Sequence, residues 1–253
     1  MFNLTHILYM IISFILSGGI LAFLYFKFNT EDKKVAALKF FAVITVVIHF
    51  SSLWVDFLMT GEQKIAESML FPIHPCNVCM WLLLIVAFIK KREGIFYKLL
   101  SEFVFFGGTV CGFIGILLNE NFDSNPTLLD YEVLKGLLSH STMILGAVFL
   151  LVGGFVKIRV SNVFSVIAGL LFFVVDGFII NTLYSAFGRE ACNSMYLLEK
   201  PFSNMPWLTT PVMGLAAVIL VLLVTFIYEA IALPREERFF NVIKNQSFKE
   251  SLR

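Results

Sequence analysis

Apolar stretches of about 20 residues recur along the whole chain and limit its fold more than any other feature. A bilayer core about 30 Å thick needs helices of this length, because lipid offers no partner to unpaired backbone groups. A hydrophobic fraction of 58% over 253 residues also excludes an ordinary soluble domain. We therefore predict an all-α polytopic membrane helical bundle of about seven spans, at residues 4–26, 37–59, 72–89, 97–118, 133–153, 161–185 and 208–233.

The basic residues are distributed unevenly between alternate loops, and this sets the expected orientation. All but four of the 19 Lys and Arg residues lie in segment 27–39, loop 90–98, loop 154–160 or the C-terminal tail. Since basic loops stay in the cytoplasm, we expect the N-terminus outside and the C-terminus in the cytoplasm. We predict a multi-pass protein of the cell membrane, with one transmembrane domain (1–233) and a cytoplasmic polar tail (234–253). The net charge of +1 says nothing about nucleic acid, and we expect no nucleic-acid partner.

Ionisable side chains on four predicted spans lie at similar depth, although such groups are costly in lipid and usually mark function. Cys76 lies about 6–9 Å below the outer end of its span. His140 and Asp176 lie about 12 Å below theirs, and His49 about 15 Å. Their convergence predicts a site in the outer half of the bundle. In the inner half, we expect Glu229 to snorkel to the interface.

A polar stripe follows one face of the second span. His49, Ser52 and Asp56 have the i, i+3, i+7 spacing of one helical face, so they should point into the bundle rather than into lipid. Two interpretations are open. The stripe contributes to the site, or it forms a hydrogen-bonded ladder that only holds helices together.

The tetrapeptide His74-Pro75-Cys76-Asn77 places a thiol where the third span should begin. Pro75 suits the first position of a helix, so Cys76 and Asn77 should occupy its first turn. The unpaired N–H groups there favour a nucleophilic thiolate and could hold an oxyanion during acyl transfer. His74 or His140 could serve as the base, and Asn77 could orient an imidazole or donate to the oxyanion.

The cysteines also support other interpretations. Cys76 and Cys79 form a C-x-x-C pair, which a membrane thiol–disulfide oxidoreductase would use, with Cys192 as an exchange partner. A further hypothesis is a non-enzymatic transporter or receptor whose buried polar groups bind a solute. Inert packing is the alternative for any buried cysteine, and Cys111 and Cys192 fit that role best.

The fourth span carries a small-residue face, formed by Cys111 with Gly108, Gly112 and Gly115. Small residues let helices approach closely, within one molecule or between copies, so the oligomeric state is left open. No cofactor is expected. A metal site is disfavoured, because four ligands would have to meet in a lipid-facing fold.

Three separated motifs resemble the bacterial YwaF-type integral membrane protein family over about residues 35–230. Segment 71–77 (FPIHPCN) resembles its H-x-C-N signature, and segment 138–140 (LSH) its histidine motif. Asn181 followed by segment 193–201 (NSMYLLEKP) resembles its N-Y-M-Y-L-R-x-K-P loop, with Ser194 in place of an aromatic residue and Leu198 in place of Arg.

This bacterial family is similar to the eukaryotic transmembrane protein 164 acyltransferases, which move fatty acyl chains between phospholipids. These are similar in fold to the androgen-induced membrane hydrolases of fatty acid esters. The resemblance implies that Cys76 and His140 carry the reaction, with membrane lipids as substrates. His49, Asp56 and Asp176 would orient His140 or shape the pocket.

The outer loop before the last span adds three polar candidates for substrate binding. Tyr196, Glu199 and Lys200 should lie beside the membrane surface, where they could meet a polar lipid head group. The alternative is a solvated connection with interfacial aromatic residues.

Overall fold

The computed structural model describes residues 3–61, 71–119, 127–189, 192–201 and 205–244. The regular structure of these residues is helical, with no β-strand among them. The helices are α1 (Leu4–Lys27), α2 (Glu31–Phe50), α3 (Ser52–Thr60), α4 (Pro75–Phe88), α5 (Ile95–Leu117), α6 (Tyr131–Val152), α7 (Asn162–Ala186) and α8 (Thr210–Ala232), with 3₁₀ turns at Ser194–Tyr196 and Arg235–Glu237. The predicted all-α polytopic bundle is confirmed.

Six helical segments in the described part of the chain are long and apolar enough to cross a membrane. They are α1, the continuous Glu31–Val55 segment of α2 and α3, α5, α6, α7 and α8. The helix at the third predicted span, α4, has 14 residues and is about 21 Å long, shorter than a bilayer core of about 30 Å. It is short because residues 72–74 stay outside the helix that Pro75 begins.

The centre of the bundle is formed by α2, α4, α5, α6 and α7. Its core includes fully buried side chains from four of them, among them Leu38, Leu83, Val104 and Phe149. Helices α5 and α6 approach closely because Gly108 faces Ala147 and Gly112 faces Ile144. The predicted small-residue face of α5 is confirmed as a contact within one chain. Helices α1 and α8 pack at the edge and expose most of their apolar side chains.

Local sequence signals set the ends of several helices. Asp130 caps α6, since its Oδ1 accepts the N–H groups of Glu132 at 2.9 Å and Val133 at 3.2 Å. Asn3 caps α1 in the same way, through the N–H of His6 at 2.9 Å. These caps satisfy donors that have no partner inside their own helix.

The C-terminal end of α8 differs from expectation at Glu229. Its carboxylate is 3% exposed and does not snorkel. Oε1 accepts the N–H of Val160 at 2.7 Å, and Oε2 accepts the N–H of Phe239 at 2.8 Å. The expectation was wrong because two backbone donors from other segments solvate the carboxylate inside the protein.

Candidate functional site

The start of α4 forms the centre of the candidate site. His74 is the N-cap residue, with extended backbone angles of φ −105° and ψ 151°, and Pro75 occupies the first turn. The His74 carbonyl accepts the N–H groups of Asn77 at 2.9 Å and Val78 at 3.3 Å. The predicted helix start at Pro75 is therefore confirmed, and Cys76 lies in the first turn.

The Cys76 sulfur is held by its own helix turn. The thiol is partly buried and donates to Oδ1 of the buried Asn77 at 3.2 Å. Pro75 has no N–H, and the N–H groups of Asn77 and Val78 already donate to the His74 carbonyl. The Cys76 N–H is therefore the donor that the first turn offers to negative charge developing at the helix start.

Cys79 belongs to the apolar core of the bundle, and Cys76 and Cys111 pack against it; these three cysteines form the thiol cluster. Cys79, one turn further along α4, has no exposed surface. Its Sγ lies 3.2 Å from the position that a Cβ at Gly107 would take. Cys111 packs against that core, as expected for a cysteine that serves packing. The small Gly107, one turn before Cys111, is the signal that α4 comes close here.

His140 lies on α6 with a defined tautomer. Its Nδ1 donates to the Gly136 carbonyl at 2.7 Å, and a carbonyl oxygen can only accept. Nε2 of the neutral ring is therefore an acceptor. The ring packs on Gly115, because a Cβ there would lie 2.2 Å from Nε2. Gly115 thus makes room for the imidazole.

Cys79 and His140 both pack against α5, at different levels. Cys79 meets α5 at Gly107, whereas His140 meets it at Gly115. The eight residues from Gly107 to Gly115 correspond to about 12 Å along the helix. Among the described residues, no hydrogen bond joins Cys76 to His140, because each already bonds within its own helix.

Hydrogen bonds at Ser194 join the loop between α7 and α8 (the outer loop of the sequence analysis, described over 192–201) to the segment before α4. The Ser194 N–H donates to Oδ1 of Asn181 at 2.9 Å, and Nδ2 of Asn181 donates to the Ser194 carbonyl at 3.2 Å. The Ser194 hydroxyl and the Met195 N–H both donate to the Ile73 carbonyl, at 3.1 and 2.9 Å. Asn181 therefore positions the loop, and the loop positions the chain entering α4.

The same loop has a strained backbone beside His74, because three of its non-glycine residues have positive φ. Asn193, Met195 and Tyr196 have φ values of 49°, 54° and 55°, a region that side chains other than glycine rarely adopt. The surrounding contacts hold this conformation, including the Thr210 hydroxyl that donates to the Tyr196 carbonyl at 2.5 Å. The rings of Tyr196 and His74 lie 5.8 Å apart, centroid to centroid. Strain of this kind clusters at functional sites.

The comparison with known protein families matches residues 1–228 to the TMEM164 family. This chain belongs to the TMEM164 family. The match covers all the described helices except the last residues of α8 and the tail. No curated protein and no solved structure matches the chain.

The remaining polar candidates of this TMEM164-family chain lie around that centre. The His49 ring packs edge-on against Phe50 at 5.4 Å, and Ser52 accepts Nζ of Lys135 from α6 at 3.1 Å. The Ser52 contact joins two helices, as the ladder interpretation predicts. The Asp56 side chain lies outside the described residues. Asp176 is partly buried on α7, and its Oδ2 has no partner in the described part of the chain.

The two substrate-binding candidates that follow Tyr196 lie at the surface. The side chains of Glu199 and Lys200 are exposed. Asn193 orders the backbone before them, since its Oδ1 accepts the N–H groups of Leu198 at 3.0 Å and Glu199 at 2.9 Å. The loop therefore holds an exposed carboxylate and an exposed ammonium group on an ordered backbone.

Neither of two recesses on the surface of this TMEM164-family chain includes the thiols. One, of about 300 Å³, is an open apolar groove on α2 beside Phe40. The other, of about 230 Å³, lies between the ends of α1 and α6 beside Lys34. Within the described ranges, no group of three or more His, Cys, Asp or Glu residues is arranged to hold a metal ion. The thiol cluster lies inside the packed bundle.

Proposed function

We propose that this chain is a membrane acyltransferase that moves fatty acyl groups between lipids through a thioester on Cys76. The position of Cys76 carries the proposal. The thiol lies in the first turn of a proline-initiated helix inside a membrane bundle, where the helix dipole favours negative charge. Membership of the TMEM164 family adds support, since the resemblance assigns a Cys–His reaction to its eukaryotic acyltransferases.

The proposed reaction uses one acid–base group and one nucleophile. Nε2 of His140 accepts the thiol proton of Cys76, and the thiolate attacks the carbonyl carbon of a lipid ester. The Cys76 N–H at the start of α4 stabilises the oxyanion. The ester C–O bond then breaks, and the leaving alcohol takes the proton from His140. The hydroxyl of a second lipid attacks the thioester and frees Cys76.

The tautomer of His140 is compatible with this reaction. Nδ1 of His140 is already occupied by a carbonyl, so Nε2 is the nitrogen that can accept a proton. Catalytic hydrogen bonds often tighten only in the substrate complex. Bound lipid between α4 and α6 would bring the two groups into reach.

The supporting residues take the following roles in the proposal. Asn181 holds the outer loop, so that His74 and Tyr196 stay beside Cys76. Glu199 and Lys200 bind the polar head of the lipid. Further ionisable groups that shape the pocket in the proposal are His49, Asp56 and Asp176.

The experiment that tests the proposal is intact-mass spectrometry of the purified protein after incubation with phospholipid vesicles. We expect a hydroxylamine-labile acyl adduct on the wild type and none on Cys76→Ser. Cys192→Ser is the matched control, because Cys192 lies apart from the cluster and bonds Asn181 at 3.6 Å. An adduct of equal yield on folded Cys76→Ser would refute the mechanism.

A second candidate function, solute transport, is favoured by one observation. Oδ2 of Asp176 is enclosed within a span without a partner in the described part of the chain. Intramembrane carboxyl groups of this kind serve proton-coupled transporters. This candidate predicts solute uptake into proteoliposomes that survives Cys76→Ser and disappears with Asp176→Asn. Uptake indifferent to Asp176→Asn would exclude it.

Three more specific assignments belong to the same proposal and rest on the sequence resemblance. They are membership of the YwaF-type subgroup, similarity to the androgen-induced hydrolases, and residence in the cell membrane.

Transfer differs from hydrolysis only in whether a lipid hydroxyl or water attacks the thioester. Product analysis separates them, because hydrolysis releases a free fatty acid and transfer leaves a new lipid ester.

A further inference from the structure

The chain that follows α8 turns back along that helix instead of leading away from it. The Phe239 N–H donates to Oε2 of Glu229 at 2.8 Å. The Arg238 guanidinium donates to the carbonyls of Ala230 at 2.8 Å and Leu233 at 3.2 Å. These acceptors lie at the C-terminal end of α8, where carbonyl groups have no partner inside the helix. The returning chain is therefore held against the end of α8.

The ring that follows Phe239 lies beside a lipid-facing residue of α8. The rings of Phe240 and Phe226 are 6.3 Å apart, centroid to centroid, and Phe226 is 52% exposed. Phe226 lies six residues, or about 9 Å, before the end of α8 at Ala232. The 23 residues of α8 are about 34 Å long, only slightly more than a bilayer core of about 30 Å. The Phe240 ring therefore reaches the level of the acyl chains.

The short helical segment 239–244 has an exposed apolar face. Phe240 is 63% exposed and Ile243, three residues further on, is 47% exposed, so both lie on one side of the segment. Lys244 follows directly and is also exposed. An apolar face bordered by a basic residue is typical of segments that lie in the membrane interface, about 5–10 Å deep. The long lysine side chain can bring its ammonium group to the lipid phosphates.

We propose that segment 239–244 is an interfacial anchor, which inserts Phe240 and Ile243 among the acyl chains of the leaflet at the C-terminal end of α8. The partner is a phospholipid surface, because the exposed face of the segment continues the lipid-facing side of α8 through Phe226. Insertion removes both apolar side chains from water, which is favourable. The anchor acts independently of the chemistry proposed at Cys76.

A second copy of the chain is a less suitable cover for this face. Stable protein interfaces bury about 800 Å² on each partner. An aromatic side chain buries only about 150–250 Å², so Phe240 and Ile243 together fall well short of that area. A lipid leaflet needs no matching patch, since the hydrocarbon layer already surrounds α8.

The test uses the full chain in lipid nanodiscs and the fluorescence that Phe240→Trp adds to the three natural tryptophans. Brominated acyl chains quench a tryptophan that lies among them, whereas iodide quenches one that lies in water. We expect the added fluorescence to lose most of its intensity in brominated discs and little of it with iodide. Ile243→Trp is a second variant with the same expectation.

The matched control is Glu236→Trp, because Glu236 is exposed on the 3₁₀ turn before the anchor. Its added fluorescence should be quenched by iodide and kept in brominated discs. Circular dichroism verifies that all three variants are folded.

Two outcomes would overturn the inference. Quenching of Phe240→Trp and Ile243→Trp by iodide alone would show that the segment lies in water. Quenching by neither agent would show that protein covers the face, as a second copy would. Neither outcome affects the acyltransferase proposal, whose test is the acyl adduct on Cys76.

Discussion

The contact between His140 and Gly115 leads to a sharp prediction for the single substitution Gly115→Ala. A methyl group at Gly115 would lie 2.2 Å from both Cδ2 and Nε2 of the imidazole. Ordinary contact begins at 3.4 Å, so the ring must retreat by about 1.2 Å. The ring cannot simply rotate in place, because Nδ1 is bonded to Gly136 at 2.7 Å.

The expected loss of stability has two contributions, overpacking of the helix interface and loss of a hydrogen bond. Overpacking a tight interface costs about 1–3 kcal/mol. Loss of the Nδ1 hydrogen bond adds about 1 kcal/mol, so the free energy of unfolding should fall by about 2–4 kcal/mol. A catalytic group misplaced by about 1 Å loses about 100-fold in rate. We therefore expect acyl transfer per folded molecule to fall about 100-fold.

The assay is the rate of acyl-adduct formation on Cys76, normalised to the folded fraction and accompanied by thermal unfolding. Gly169→Ala is the matched control for a clash elsewhere, since its Cβ would lie 2.0 Å from Cδ2 of Phe103. Gly19→Ala is the control without a clash, because nothing lies within 4 Å of it. If Gly115→Ala and Gly169→Ala lose stability alike and react equally fast, the role of His140 is refuted.

Three further predictions concern the surroundings of the site. Asn181→Leu removes both hydrogen bonds to the buried backbone of Ser194. We expect thermal unfolding to show a free energy of unfolding lower by about 2–4 kcal/mol, and acyl-adduct formation to slow because the loop detaches. Glu229→Ala leaves the Phe239 N–H without its acceptor, and the tail should become more sensitive to trypsin, while an unchanged digestion rate would contradict this anchoring. Cys79→Ser should leave acyl transfer near the wild-type rate; a loss as complete as that of Cys76→Ser would favour the oxidoreductase hypothesis.

The parts of the site that were predictable are those governed by short stretches of chain. Pro75 determined where α4 begins, because proline fits the first turn and no later position. The glycines of α5 indicated a close helix contact, and they do face α6. Both signals lie within a few residues of the feature they predict.

Contacts between distant segments were not predictable. Ser194 bonds Ile73, 121 residues away, and nothing in either sequence environment marks the other as its partner. Cys79 packs against Gly107 of α5, and the sequence around Cys79 gives no sign of that partner. Glu229 was expected to reach water, but backbone donors from two other segments solvate it.

The sequence by itself determined that this chain is an all-α membrane bundle with a thiol at a helix start. Lipid imposes that result locally, since each apolar stretch must satisfy its own backbone hydrogen bonds as a helix. The tertiary structure alone decided which groups meet: Cys79 with Gly107, His140 with Gly115, and Asn181 with Ser194. These pairs depend on the rotation and register of packed helices, which arise from side-chain fit across the whole bundle.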